Sequence, residues 1–219
     1  MAEGDTILRA KHRLADALVG QTIAVSAPNP RGRAAGIERL DGRTLEGIDA
    51  HGKHLIFDFG ELVLHSHLGM SGGWHVYRPR ERWRRPRSSA WAVLGGAHHE
   101  AVEFGGPTLR VLPASRVAID PQLARLGPDL LADDLDLDDL VARFRAGDRS
   151  RTLGDALLDQ RLVASIGNIF KRVLLRRTPR PLAPRVGGPR RRPPPRPHRG
   201  PRPDARRRQE RQPPPLRRL

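Results

Sequence analysis

The chain has 219 residues, a formal net charge of +16 and no cysteine, which excludes disulfides and any thiolate zinc site. No apolar run approaches the roughly 18 residues that a membrane helix needs, and the N-terminus, with Glu3 and Asp5 and no apolar stretch behind them, does not read as a secretory signal. Of the 40 basic residues 17 lie in 172–219, against 2 of the 24 acids, so that segment carries +15 and the first 171 residues +1; such a balance suits a nucleic-acid partner.

Asp5 to Leu18 predicts a helix, with Ile7, Leu8, Leu14, Ala17 and Leu18 at helical spacing and Gly20 as the stop. The period then shortens. Thr22–Val25, Leu55–Phe59, Leu62–His65, Trp74–Tyr77, Ala90–Leu94, Glu100–Phe104 and Leu109–Leu112 read as short strands parted by Gly and Pro turns, the pattern of a two-layer β-sandwich. His65-x-His67 and His98-His99 are pairs of a zinc-binding type, but with no cysteine and no third ligand at regular spacing no metal site is assigned. The basic stretch Arg78–Arg87, with Trp83 inside it, suits either phosphate contact or a solvated hairpin tip. From Pro121 onward the pattern is helical. Asp133 and Asp134 are expected to cap a helix with Leu137, Leu140, Val141 and Phe144 on one side, and the five aspartates between Asp133 and Asp139 read as caps that favour the helix dipole.

The segment Thr152–Lys171 predicts a helix, a tight Gly-Asn turn and the start of a second helix. Leu153, Ala156 and Leu157 give the apolar stripe, Gln160 and Arg161 extend the helix, and Leu162, Val163 and Ile166 carry the apolar face into the bend. Gly167 supplies free backbone there, and Asn168 stands where a left-handed residue or a helix start is expected, so that neighbouring N–H groups point together towards an anion. A helix C-cap followed by another core helix is the plainer reading of the same spacing.

Two other blocks agree with the first: the opening MAEGDT, and Gly52-Lys53-His54-Leu55 leading through a strand to His65-Ser66-His67-Leu68-Gly69-Met70-Ser71-Gly72. In order and spacing the three resemble the formamidopyrimidine-DNA glycosylase and endonuclease VIII family of DNA repair enzymes, over about residues 1–171. Leu126-Gly127-Pro128-Asp129-Leu130-Leu131 and Pro113-Ala114-Ser115-Arg116 fit as connecting text, and the wording Met70-Ser71-Gly72-Gly73-Trp74 is closer to the endonuclease VIII branch.

The resemblance implies an α+β fold: a β-sandwich catalytic domain with flanking helices over residues 1–117, then part of a helix-two-turns-helix DNA-binding domain over 118–171. It implies a bifunctional glycosylase and abasic-site lyase that removes oxidised bases, pyrimidines first, from damaged double-stranded DNA as a cytoplasmic, nucleoid-associated bacterial monomer. The residue after the initiator methionine is the family's nucleophile, which places Ala2 in that role where the family has proline. Glu3 matches the acid that protonates the sugar ring oxygen, Lys53 the strand-turn lysine that contacts phosphate and assists loss of the base, Asn168 the asparagine that holds backbone phosphate, and Met70 the side chain that fills the space of the flipped nucleotide. The alternative is a catalytically impaired relative that only binds DNA.

Residues 172–219 hold 13 of the 21 prolines and, beyond Val173, Leu174 and Leu175, few apolar side chains, so disorder with polyproline character is expected. The four-cysteine zinc finger with which the family ends is missing from this text, and no cofactor is assigned. A frameshifted or truncated product and a genuine Arg-Pro nucleic-acid tail are the two readings of that segment.

Overall fold

The computed structural model describes residues 3–148 and 150–177. Ala2 and residues 178–219, on which the expected nucleophile and most of the expected disordered tail fall, lie outside the described residues. Helix α1 (Gly4–Leu18) buries Ile7, Leu14, Ala17 and Leu18, the residues whose spacing defines its apolar face. Strand β1 (Thr22–Ser26) follows, then α2 (Pro30–Ala34), a single short turn of helix with Asn29 as its cap and Pro30 at its first position, and the strand pair β2 (Arg43–Thr44) and β3 (Gly47–His51). None of α2, β2 or β3 is among the elements read from the sequence. The strands β4 (His54–Phe59), β5 (Leu62–His67), β6 (Trp74–Tyr77), β7 (Ala92–Gly95), β8 (Glu100–Glu103) and β9 (Thr108–Pro113) fall where the alternation puts them, with ends moved by one or two residues.

The strands form two antiparallel sheets, one in the order β2-β1-β7-β8-β6 and one in the order β3-β4-β5-β9. Together with the helices they make the α+β sandwich expected from the sequence. Along β4 the pleat sends Leu55, Phe57 and Phe59 into the space between the sheets and His54, Ile56 and Asp58 to the other face. Each such fully buried side chain stabilises the fold by roughly 1.5–3 kcal/mol. Helix α1 packs against β3 of one sheet and β6 and β8 of the other, so the helix is held by both layers.

The helical part departs from the sequence reading at its boundaries. Helix α3 (Leu137–Ala146) is capped by Asp136, whose carboxylate accepts from the N–H groups of Asp138 and Asp139; Asp133 and Asp134 lie ahead of it and do not cap it. Helix α4 (Leu153–Leu158) stops short of Gln160 and Arg161. Asp159 ends it by taking the Arg161 N–H and the guanidinium groups of both Arg151 and Arg161, which holds its carboxyl far below the usual carboxylate range. Helix α5 (Asn168–Arg177) starts where the second helix is expected but continues through residues 172–177, which the sequence reading assigns to the tail. Leu175 explains the extension, since its side chain reaches the surface of α4 at Gly154.

Candidate functional site

In the four-stranded sheet His54 of β4 pairs with His67 of β5, so the Gly52-Lys53 turn that precedes β4 and the Leu68–Gly73 loop that follows β5 emerge at the same end. Gly52 holds the turn with φ +63°, and any side chain there would press on Ala164. Lys53 is half-buried. Burial pushes its ammonium below the usual lysine range, and the nearby Glu3 carboxylate acts against that shift. Met70 stands 76% exposed at the tip of its loop, so a core role for this methionine is excluded. Gly69, with φ +58° and packed on Pro107, sets the tip's direction.

Glu3 is the least expected member. It is 1% exposed, and its two carboxylate oxygens accept from the backbone N–H groups of Ile169 (2.7 Å) and Phe170 (3.1 Å) in the first turn of α5. The helix N-terminus that the sequence reading assigns to a phosphate is therefore occupied in part by the protein's own carboxylate. Gly167 is needed for this reason. A Cβ there would lie 2.3 Å from the Glu3 carboxyl carbon, so its role is to admit Glu3, not to bend into a left-handed conformation. The left-handed residue of the turn is Ser165, at φ +78°. Asn168 is exposed at the start of α5, in the same turn whose amides bind Glu3. The structure thus groups Glu3, Lys53 and the α5 start, and leaves Met70 projecting from the same end of the sheet.

The histidines that resemble a zinc pair do something else. Two Arg110 nitrogens lie within 3.2 Å of His65 Nδ1, and with Nε donating there, His65 Nε2 carries the hydrogen that is given to His54 Nδ1 at 2.8 Å. His67 stacks on His54 with ring centroids 4.5 Å apart. Burial, reinforced by the neighbouring imidazoles and Arg110, pushes His54 down to about 3, and burial with Arg110 pushes His65 down to about 4, so both are neutral at pH 7. Arg110 also bonds Asp120 at 2.6 Å, which ties the segment after β9 to the outer face of the sheet. His98 and His99 lie in the turn between β7 and β8, in the other sheet. Among the described residues no group of three or more histidines and acids is placed to hold a metal ion.

Trp83, in the basic stretch, faces inward: it donates to Glu100 at 2.6 Å, packs on Tyr77 and Phe104, and is covered by the Arg87 guanidinium 4.1 Å above its ring. It is not available to stack on a base, whereas Arg82 and the arginines from 84 to 87 are exposed around it.

A two-sheet sandwich whose N-terminal segment meets a strand-turn lysine and a helix start is the architecture of one class of protein. Residues 1–107 match the formamidopyrimidine-DNA glycosylase N-terminal domain. Probable endonuclease 8 2 of Streptomyces coelicolor is 41% identical over 174 residues, covering 78% of this chain and 61% of that protein. DNA-(apurinic or apyrimidinic site) lyase Nei2 of Mycolicibacterium smegmatis is 35% identical over 173 residues, with 78% and 64% covered. The solved complex between the Lactococcus lactis Fpg and an abasic site containing DNA aligns with a TM-score of 0.65 at 25% identity, over 78% of this chain and 64% of that one. The first half of the chain thus matches the N-terminal domain of the formamidopyrimidine-DNA glycosylases, the chain is similar to endonuclease 8 proteins over some 174 residues, and it spans about three fifths of the length of these relatives.

Proposed function

We propose that this chain carries the catalytic portion of a base-excision repair enzyme, a DNA glycosylase with abasic-site lyase activity that removes oxidised bases, pyrimidines first, from double-stranded DNA. The observation that carries the reading is the position of Glu3, buried between the N-terminus of α5 and the Lys53 turn. In this reading catalysis belongs to residues 1–117 and the grip on the DNA backbone to 118–171, extended by the rest of α5, with the protein acting as a monomer in the bacterial cytoplasm.

The steps follow from the residue types. Ala2, once Met1 is removed, offers an α-amine with a pKa of about 7.7–8.0 that is partly neutral at pH 7 and attacks C1′ of the damaged nucleotide. Glu3 delivers a proton to the sugar ring oxygen, so the ring opens as the base leaves and an imine forms on the amine. Lys53 contacts the adjoining phosphate and assists departure of the base. Loss of a C2′ proton then expels the 3′ phosphate and cuts the strand. A primary amine gives an imine that can shed its proton and cease to draw electrons, whereas the secondary amine of proline gives an iminium that keeps its charge. Elimination should therefore suffer more from Ala2 than Schiff-base formation does. Ala2 is also the observation that favours the second reading, a relative that binds DNA without cutting it.

Borohydride trapping on abasic-site DNA tests the choice. The wild type is expected to trap weakly, Ala2→Pro to raise strand cleavage by a larger factor than trapping, and a version blocked at its N-terminus to trap nothing. Equal trapping by blocked and unblocked protein would remove Ala2 from the mechanism.

Charge yields a further expectation. Deleting residues 178–219 removes fourteen arginines, and log Kd for undamaged duplex should become less steep in log salt by about 0.9 for each phosphate that the shortened chain no longer neutralises. An unchanged slope would place the phosphate-binding cations in the first 177 residues.

A further inference from the structure

Three segments far apart in sequence carry Glu3, Lys53 and Asn168, and a fourth connects them. Asp129, in the Leu126–Leu131 text ahead of the helices, accepts from the Gly52 N–H through Oδ2 at 2.7 Å and from the Ser165 hydroxyl through Oδ1 at 2.5 Å. Gly52 is the residue before Lys53 and Ser165 lies three residues before Asn168. The Ser165 carbonyl in turn accepts from the Gly4 N–H at 3.0 Å, next to Glu3, and the Ser165 hydroxyl also lies 3.2 Å from the Gly52 carbonyl. Asp129 holds its own segment through the Leu131 N–H at 2.9 Å.

We propose that Asp129 is a positioning residue for the glycosylase and lyase chemistry, fixing the Lys53 turn and, through Ser165, the Glu3 segment in one geometry. The proposal rests on the function proposed above. Geometry gives it three supports. Asp129 bonds both the lysine turn and the turn before α5, and a carboxylate can accept from both at once, whereas an amide would present a donor to one of these donors. Ser165 is 3% exposed and held at φ +78°, a conformation that a residue with a side chain rarely adopts and that persists where surrounding bonds over-determine it. Gly4 has no room for a side chain, since a Cβ there would lie 2.3 Å from Ser165 Cβ, so the two segments meet backbone to backbone. A shift of about 1 Å among catalytic groups costs on the order of 100-fold in rate, and a brace touching two of the three segments acts on that scale.

The test uses the full chain with Asp129→Asn and, separately, Ser165→Ala. Single-turnover trapping on abasic-site DNA should slow by at least tenfold in Asp129→Asn and by a smaller factor in Ser165→Ala, with the Kd for the same DNA changed by less than about threefold. Amide exchange at Gly4 and Gly52 should quicken in Asp129→Asn while the melting curve stays cooperative, and Asp129→Glu, which keeps the carboxylate, should recover part of the trapping rate. Unaltered trapping in Asp129→Asn beside a trapping wild type would overturn the positioning role alone. So would a loss of trapping matched by an equal loss of DNA affinity, one that Ser165→Ala does not share in any degree, or one that Asp129→Glu does not partly reverse. A wild type that traps nothing would overturn the proposed function and this role with it.

Discussion

Glu3→Gln is expected to lower release of an oxidised pyrimidine by about 10²- to 10⁴-fold, the usual worth of a positioned general acid, while cutting at a preformed abasic site falls less than tenfold. The split arises because proton delivery to the ring oxygen matters while a base must leave and matters little once it has gone. Structure sets the size of the background effect. Both Glu3 oxygens accept backbone N–H groups of α5, and glutamine can keep one of those bonds but turns its NH₂ towards the other donor. That mismatch should reduce folding stability by about 1–3 kcal/mol, visible in a denaturant titration. Comparing single-turnover rates on the two substrates checks the assignment. An equal fall on both would mean that Glu3 serves by holding α5 in place.

Glu103→Gln is expected to make the folded protein more stable at alkaline pH by up to about 4 kcal/mol. Glu103 lies in β8 between Trp74 of β6 and Ala92 of β7, has no solvent exposure, and neither carboxyl oxygen has a hydrogen-bond partner among the described residues. Burial pushes it up to about 9 from an ordinary 4.5, and the nearby Gly105 N–H, which falls short of hydrogen-bond geometry with either oxygen, acts in the other direction. Between those two values the unfolded chain has released the proton and the folded chain retains it. The folded state then binds more protons than the unfolded one, so stability falls as pH rises, by about 1.4 kcal/mol per unit from this group alone. Chemical denaturation of wild type and variant at pH 5, 6.5 and 8 should show a gap that widens with pH. A gap of constant size would mean that Glu103 titrates normally.

Much of the fold is legible in the one-dimensional text because strand alternation and glycine turns are local signals. Strands β4 to β9 were readable from residues such as Leu55, Phe57 and Phe59, two apart and all apolar. Strand β3 was not, because Gly47-Ile48-Asp49-Ala50-His51 has a single large apolar side chain and owes its state to pairing with β4. Helix α4 read too long for a different reason: Asp159 is an acceptable helix residue until Arg151 and Arg161 converge on it. In the site, Glu3, Lys53, Met70 and Asn168 were reached through the three matching blocks and not through periodicity. The parts of Gly167, which makes room for Glu3, and of Ser165, the left-handed residue of the turn, are not legible there. The bonds that define them run across 166 residues from Ile169 to Glu3 and 113 from Ser165 to Gly52, and such distances leave no trace in local pattern.

The burial of Glu3 against Ile169 and Phe170 also sets a timetable. During synthesis the third residue leaves the ribosome long before its two partner amides exist; at about 5–20 residues per second the interval is on the order of ten to thirty seconds. For that time Glu3 has nowhere to dock, and under the proposed function the aminopeptidase that exposes Ala2 works on a chain whose third residue is still unseated. Once α5 has formed, Glu3 is held by the Ile169 and Phe170 amides. Pulse-labelled chains should therefore lose Met1 while still attached to the ribosome, and a chain arrested after residue 160 should remain a better substrate for that enzyme than the completed one.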